Sequence, residues 1–261
     1  MANRPVDLAR VIDRTRVWHA HYLPETDSTN TVALQRAGDL SPDQSELVYT
    51  ACQLQGRGRG ANRWYSSDGA LTFSLITRQL DIPPSETPRV SLAVGLAVCR
   101  AVEPLAPAAL ARIKWPNDVY LSGKKAAGIL IEIPASSPGR FVVGIGLNVS
   151  NSLDGAPEEV RQLAASLAQF THEELDPTGI LISLLGEIDA DLSRLVEHDP
   201  LLSEEWRARS LLIGRRVRVS APPRVIEGVC VTIADDGALV LETDNGPTPC
   251  YGGVVEWFSG G

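Results

Sequence analysis

The sequence is short of paired cysteines. Its four thiols, Cys52, Cys99, Cys230 and Cys250, include no C-x-x-C pair and follow no metal-ligand rhythm. That spacing argues against zinc ribbons and dithiol redox centres; the four read as reduced, half-buried packing residues of a cytosolic protein. Histidine is scarce too. Of four, only His19 and His21 share a face of an expected strand, which does not by itself make a metal site. No window approaches the roughly 18–20 uninterrupted apolar residues of a membrane span. The opening MANRPVDLAR carries charges and no apolar run, so it is not read as a secretory signal. Positive charge is in deficit, 24 Lys and Arg against 32 Asp and Glu, for a formal net charge of -8. This balance argues against a general nucleic-acid or membrane-surface binder, which needs broad positive potential, but it leaves room for a local cationic site. There is no internal repeat and no low-complexity segment.

What is present is an ordinary globular composition, 44% apolar and 21% charged over 261 residues, enough to build a core without staples. Strands are expected at 17–23, 46–53, 70–78 and 140–149, and a pair within 118–133 meeting at a Ser122-Gly123 turn. A helix should start at an Asp27 or Ser28 cap. A second, at 85–105, places Leu92, Leu96 and Cys99 on one face and stops at Pro104. Helices follow at 157–170, 178–196 and 200–210. From Gly214 the pattern changes to short strands, ending in VVEWF (254–258), with Asp236-Gly237 and Asn245-Gly246 as hairpin turns. The reading is an α+β main domain without a βαβ rhythm, over 1–212, and a small SH3-like β domain over 213–261.

Four stretches carry candidate chemistry. QGRGRGANRW (55–64) sets Arg57, Arg59 and Arg63 among Gly56, Gly58 and Gly60. Glycine lets backbone N–H groups approach an anion, and arginine forks suit carboxylate or phosphate oxygens. Such a loop should be mobile when empty. The spacing is not that of a Walker loop, and composition alone also allows a solvated surface loop or an RGG-like nucleic-acid contact. KWPNDVYLSGKKAAGIL (114–130) brings Asn117 and Asp118 near Lys125 across a turn. Lys124 and Lys125 alternate, so one of them can point into a site; an ordinary charged hairpin end is the alternative. ETDSTN (25–30) offers hydroxyl and amide groups at a helix start, either as a cap or as neutral hydrogen-bonding partners. GIGLNV (144–149) flattens one strand surface with Gly144 and Gly146, for a ligand or for close helix packing.

Taken in order, Asp27–Asn30, Gln53 to Trp64, Lys114–Asp118, Lys125–Leu130 and Gly144–Asn148 resemble the biotin–protein ligases. The resemblance spans most of 22–150. It implies a mixed, mainly antiparallel sheet packed by helices, like the class II synthetases, followed by a small C-terminal barrel. It also implies a two-step ligation: biotin is activated by ATP as biotinyl-5′-adenylate with release of pyrophosphate, then transferred to a lysine of a biotin carboxyl carrier protein, by default that of acetyl-CoA carboxylase.

By that resemblance Ser28, Thr29, Asn30 and Gln53 should hold biotin, together with Arg57, Gly58, Arg59 and Lys125. The nucleotide should meet Arg57, Arg59, Trp64, Asn117, Asp118, Lys125 and Asn148. Lys125, Arg59 and Asp118 are the expected catalytic residues. Lys125 would bridge the biotin carboxylate and the α-phosphate, and the arginines would close over the adenylate. Mg²⁺ should be held mainly by ATP phosphates, near Asp118, with no firm protein ligand set.

Two departures stand out. Gln53-Leu54-Gln55-Gly56 replaces the family's commoner run before the loop, and GVVEWF (253–258) lacks an arginine that relatives carry. Only 26 residues precede Asp27, too few for the winged helix of bifunctional members, so no operator DNA binding is expected. A monomer and a homodimer are both compatible with the family. The rival readings are a lipoate–protein ligase or lipoyl transferase of the same fold, and a non-catalytic nucleic-acid or protein-binding module.

Overall fold

The computed structural model describes residues 5–257. A short helix, α1 (Leu8–Arg14), precedes β1 (His19–Thr26), α2 (Thr29–Arg36) and β2 (Glu46–Gln53). Next come β3 (Ala70–Ile76), α3 (Thr87–Val102), β4 (Ala111–Lys114), β5 (Asp118–Leu121), β6 (Lys124–Glu132) and β7 (Val142–Asn148). These seven strands form one sheet in the order β1-β2-β3-β7-β6-β5-β4. Among them β1 and β2 pair in parallel, joined through α2; the other pairings are antiparallel. The sheet is thus mixed and mainly antiparallel, and a single βαβ unit opens it.

The two faces of the sheet are treated differently. One is covered by α3, which packs on β4, β5 and β6 and against α5 (Pro177–Val196). The sequence of α3 suits this position because it is apolar nearly all round: twelve of its residues are buried, Leu92, Leu96 and Cys99 among them. On the other face α2 covers β2, β3 and the start of β7, laying Ala33 and Ala37 on Val48, Ile76 and Val142. The rest of that face, over the later part of β7 and over β6, β5 and β4, is left for the site. β3 and β7 are buried at every position, yet both alternate: Leu71, Phe73 and Leu75, with Ile145 and Leu147, belong to the apolar core, while Thr72, Ser74, Gly144 and Gly146 occupy the opposite face.

Three sequence expectations change. The helix expected at 157–170 shrinks to α4 (Glu158–Leu163) and one 3₁₀ turn at Leu167–Gln169. Between them Ala164 bridges the backbone of Lys125, and the Ala165 amide donates to the Lys125 carbonyl at 2.9 Å. Strand pairing there uses the groups a continuing helix would need. β4 is not among the expected strands; at four residues, its alternation is too short to stand out. The cysteines are all free, but Cys99, Cys230 and Cys250 are buried, and Cys52 alone is half-buried as expected.

After α6 (Leu201–Ala208), five strands make a second, antiparallel sheet: β8 (Arg216–Ala221), β9 (Arg224–Ile233), β10 (Leu239–Thr243), β11 (Gly246–Cys250) and β12 (Val254–Trp257). Their order is β11-β10-β9-β8-β12. Phe258, which closes the last expected strand, lies outside the described residues. The Asp236-Gly237 turn forms as expected, with Gly237 at φ +85, and it seats the second sheet on the first. A side chain at Gly237 would meet Pro88 and Arg89, and Trp115 donates its buried indole N–H to the Gly237 carbonyl at 2.9 Å. The apolar core runs without a break from the large sheet into the small one. No helix among the described residues is long and apolar enough to cross a membrane.

Candidate active site

The uncovered half of the large sheet is the floor of a cavity of about 670 Å³. Cross-strand partners share a face, so the register determines what the floor presents. Ser74 pairs with Gly144, Thr72 with Gly146, and Gly146 with Gly128; Gly128 in turn pairs with Asp118, and Asp118 with Lys114. Walking across the sheet from β3 to β4 therefore passes hydroxyls, then bare glycine, then charge.

At the β2–β3 end the groups are neutral and bonded to one another. The Gln53 Oε1 accepts from the Thr29 amide at 2.8 Å and from its hydroxyl at 3.2 Å. Ser74 Oγ reaches Thr29 Oγ1 at 2.7 Å and also contacts Asn30 Oδ1. The Asn30 amide donates to the Leu130 carbonyl at 3.2 Å and to Glu132 Oε2 at 2.8 Å. A Cβ on Gly144 would collide with Asn30, which explains the glycine there. Ser28 caps α2 from a buried position, yet its hydroxyl makes no bond to the helix amides, so it remains available to a ligand. The capping alternative for this segment is thus not what its side chain does.

The arginine loop closes on itself as a small hairpin. Arg57 bridges Arg63, the Trp64 amide donates to the Gly56 carbonyl at 2.9 Å, and the Gly58 amide to the Asn62 carbonyl at 2.8 Å. Its arginines have different fates. Arg57 forks onto Glu132, at 3.0 and 2.6 Å. Arg59 faces the second sheet, with one long bond, 3.4 Å, to the Gly253 carbonyl. No carboxylate among the described residues lies within ion-pair range of it, and burial alone pulls its pKa down. Trp64 lies across the floor, where a side chain on Gly146 would collide with its indole and one on Gly128 would crowd it. Its buried Nε1 has no partner among the described residues.

On β6, a bulge decides which lysine enters. Val119 pairs with Ala127, but Tyr120 pairs with Lys125, leaving Ala126 as the extra residue. In regular register Lys125 would stand opposite the buried Leu121. The bulge instead turns it to the face of Asp118, which its ammonium meets at 2.7 Å, while Lys124 stays exposed. Asn117 braces the corner by donating from Nδ2 to the Ile129 carbonyl at 2.7 Å.

A profile of the Biotin/lipoate A/B protein ligase family matches residues 22–148, and one of the Biotin protein ligase C terminal domain matches residues 212–261. The biotin–[acetyl-CoA-carboxylase] ligase of Mycobacterium tuberculosis (strain ATCC 25618 / H37Rv) is 37% identical over 222 residues, covering 84% of this chain and 81% of that one. The chain belongs to the biotin protein ligase family. It is 30% identical over 235 residues to the bifunctional ligase/repressor BirA of Escherichia coli (strain K12), with 89% of this chain and 72% of that protein covered. Among solved structures, the Aquifex aeolicus biotin protein ligase in complex with biotin and ATP superposes with a TM-score of 0.77 at 27% identity, over 92% of this chain and 100% of that one.

For a ligase of this family, the cavity gathers most of the expected site residues. Ser28, Thr29, Asn30 and Gln53 line it at the neutral end. Arg57, Gly58, Arg59 and Trp64 line it from the loop, and Asn117, Asp118 and Lys125 from the hairpin. Asn148 is the exception: it is buried at the end of β7, accepts from Asn151 Nδ2 at 3.0 Å, and does not reach the cavity.

Sequence reasoning assigns no role to several residues that matter. Ser74 and Glu132 are spaced along strands whose apolar character hides them. Lys114 opens a recognisable motif, yet nothing in its spacing gives it a task. Ser220, Pro222, Gly253 and Val254 of the second sheet wall the cavity, and no local pattern signals it. Among the described residues Asp118 is the only acidic one lining the cavity, and none form a group of three or more His, Cys, Asp or Glu able to bind a metal. His19 and His21 lie edge to face, and His21 pairs with Glu46 at 3.2 Å, as part of an Arg36–Glu46 ion cluster.

Proposed function

We propose that this chain activates biotin with ATP, as biotinyl-5′-adenylate, and transfers it to a lysine of a biotin carboxyl carrier protein. One observation carries the reading: a single cavity floor presents neutral hydrogen-bonding groups on β2 and β3, bare glycine on β7, and Lys125 on β6, in that order. Strands lie about 4.8 Å apart, so β3 and β6 are separated by roughly 10 Å. That suits a polar fused ring at one end and the carboxylate of a five-carbon chain at the other. The Ser28, Thr29 and Gln53 groups then meet the uncharged ureido ring, with Asn30 and Ser74 keeping them in place. Buried polar groups of this kind discriminate against acids that leave them unpaired.

In the first step a biotin carboxylate oxygen attacks the α-phosphorus and the α–β phosphoanhydride breaks, its electron pair leaving with pyrophosphate. Two anions must touch, so fixed positive charge has to offset their repulsion in a site shielded from water. Lys125 stands where the carboxylate and the α-phosphate meet, and Asp118 holds its ammonium there until they arrive. Arg59 meets the adenylate from the loop. Arg57, already bidentate on Glu132, acts by holding the loop to β6. Trp64 covers the floor and excludes water that would hydrolyse the mixed anhydride. In the second step the carrier's lysine amine attacks the acyl carbon, AMP leaves, and the amine gives up a proton as the amide forms. With Asp118 the sole cavity carboxylate among the described residues, these side chains form no metal cage of their own; Mg²⁺ fits only as a companion of the nucleotide's phosphates.

The test is incubation with biotin, Mg-ATP and a carrier domain, followed by intact-mass measurement of the carrier. The expected result is one biotinyl group on one lysine. A carrier that gains lipoyl from lipoate and nothing from biotin would overturn the substrate assignment.

A further inference from the structure

Among the described residues Lys114 is the one cavity-lining lysine without an anionic partner. It stands opposite Asp118 in the β4–β5 register, but that carboxylate is taken by Lys125. No carboxylate among the described residues is within ion-pair range of Lys114. It is held instead by two aromatic rings, its ammonium 4.6 Å from the centre of Trp257 and 5.7 Å from that of Tyr120. The rings meet edge to face at 5.9 Å, one from each sheet. Burial lowers the pKa of Lys114, and neighbouring Lys125 lowers it further while Asp118 and Glu256 oppose. A cation that aromatic faces have already stripped of part of its hydration, and that faces a cavity, takes up an anion at a smaller desolvation cost.

Its position names the anion. Lys125 on β6 marks where the carboxylate and α-phosphate react; β4 lies two strands farther from the neutral end. Of the two groups attached to the α-phosphate, adenosine is neutral and the diphosphate anionic, so a cation without a carboxylate partner on that side selects the diphosphate. We infer that Lys114 binds the β- and γ-phosphates of ATP and stabilises the departing pyrophosphate, and that Trp257 of the C-terminal sheet positions it. This rests on the adenylation reading above. When the α–β bond breaks, negative charge collects on the pyrophosphate oxygen that bridged the two phosphorus atoms; an ammonium there lowers the barrier without moving a proton. The C-terminal sheet would thereby complete the leaving-group end of the site.

The experiment separates the two half-reactions. With biotin and Mg-ATP, K114Q should release pyrophosphate on the order of 100-fold more slowly than the parent chain. Its KM for biotin should be unchanged, and inhibition by added inorganic pyrophosphate should weaken. Supplied with synthetic biotinyl-adenylate, K114Q should biotinylate the carrier at the parent rate, since no pyrophosphate leaves in that step; this also reports that the variant is folded. W257L should show the same split in smaller degree, and W257F should restore most of the release rate because a ring remains under the ammonium. Equal loss in both half-reactions, or parental pyrophosphate release by K114Q, would overturn the assignment of Lys114. A parent chain that neither releases pyrophosphate nor transfers from synthetic adenylate would instead overturn the functional reading, and this inference with it.

Discussion

The two ends of the cavity are built on opposite plans. At the β2–β3 end, Thr29, Asn30, Gln53 and Ser74 are bonded to one another. At the β5–β4 end and in the loop, Arg59 and Lys114 have no carboxylate within ion-pair range among the described residues, although Asp118 and Glu256 still act on Lys114 from farther off, and Lys125 is paired. A neutral polar ligand is recognised best by donors and acceptors already locked in direction, because each group left unpaired costs its full desolvation. An anion is recognised best by cations that have not been neutralised. The contrast teaches that rigidity and uncompensated charge are separate means of preorganisation, and that one site uses both. It also divides the cations that composition groups into one cluster, since Arg57 and Lys125 carry carboxylates and Arg59 does not.

The two ends should respond most differently to a change at Lys125. K125Q should slow pyrophosphate release on the order of 100- to 1,000-fold while weakening biotin only by the worth of one charge-assisted contact to its carboxylate, roughly tenfold. A proportionate loss of biotin affinity in titration calorimetry would show that the charged and neutral ends do not act separately. The reciprocal change is G144A, whose methyl displaces Asn30. It should weaken biotin by about 1–3 kcal/mol, roughly 5- to 150-fold in Kd, and leave ATP affinity alone. Removing the free arginine with R59G should loosen the adenylate by roughly tenfold, the worth of a charge-assisted bond, so that activated biotin escapes and labels bystander lysines. Labelling that slows but stays confined to the carrier would contradict the role given to Arg59. The smallest effect is expected from S74A, about 1 kcal/mol of biotin affinity, because Thr29 and Asn30 keep their other partners.

Much of this site is legible in the sequence, and the reason is chemical. Gln53, Arg59, Asp118 and Lys125 lie in stretches where glycine and charge interrupt an otherwise apolar chain, so their unusual composition draws attention. The hairpin about Ser122-Gly123 and the strand Glu46–Gln53 form where expected because their turns and β-branched runs are local signals. What the sequence hides depends on pairing at a distance. The bulge at Ala126 that turns Lys125 inward is a property of β5 and β6 together. Glu132 becomes a site residue only because Arg57 and Asn30, far off in the chain, come to it. Lys114 gains its surroundings from Trp257 of the other sheet. Asn148 departs from expectation for the same reason in reverse: its motif is local, but the end of β7 points it at Asn151 instead of the cavity.

The central claim is that filling the neutral end licenses chemistry at the charged end, and pyrophosphate release measures this directly. Mixing the chain with Mg-ATP and biotin should give a rapid release of pyrophosphate, about one equivalent per chain before any carrier is added, as expected when the activated acid stays bound in a closed site, and Mg-ATP alone should give none. Release that is as fast without biotin, or that lipoate supports and biotin does not, would contradict the account.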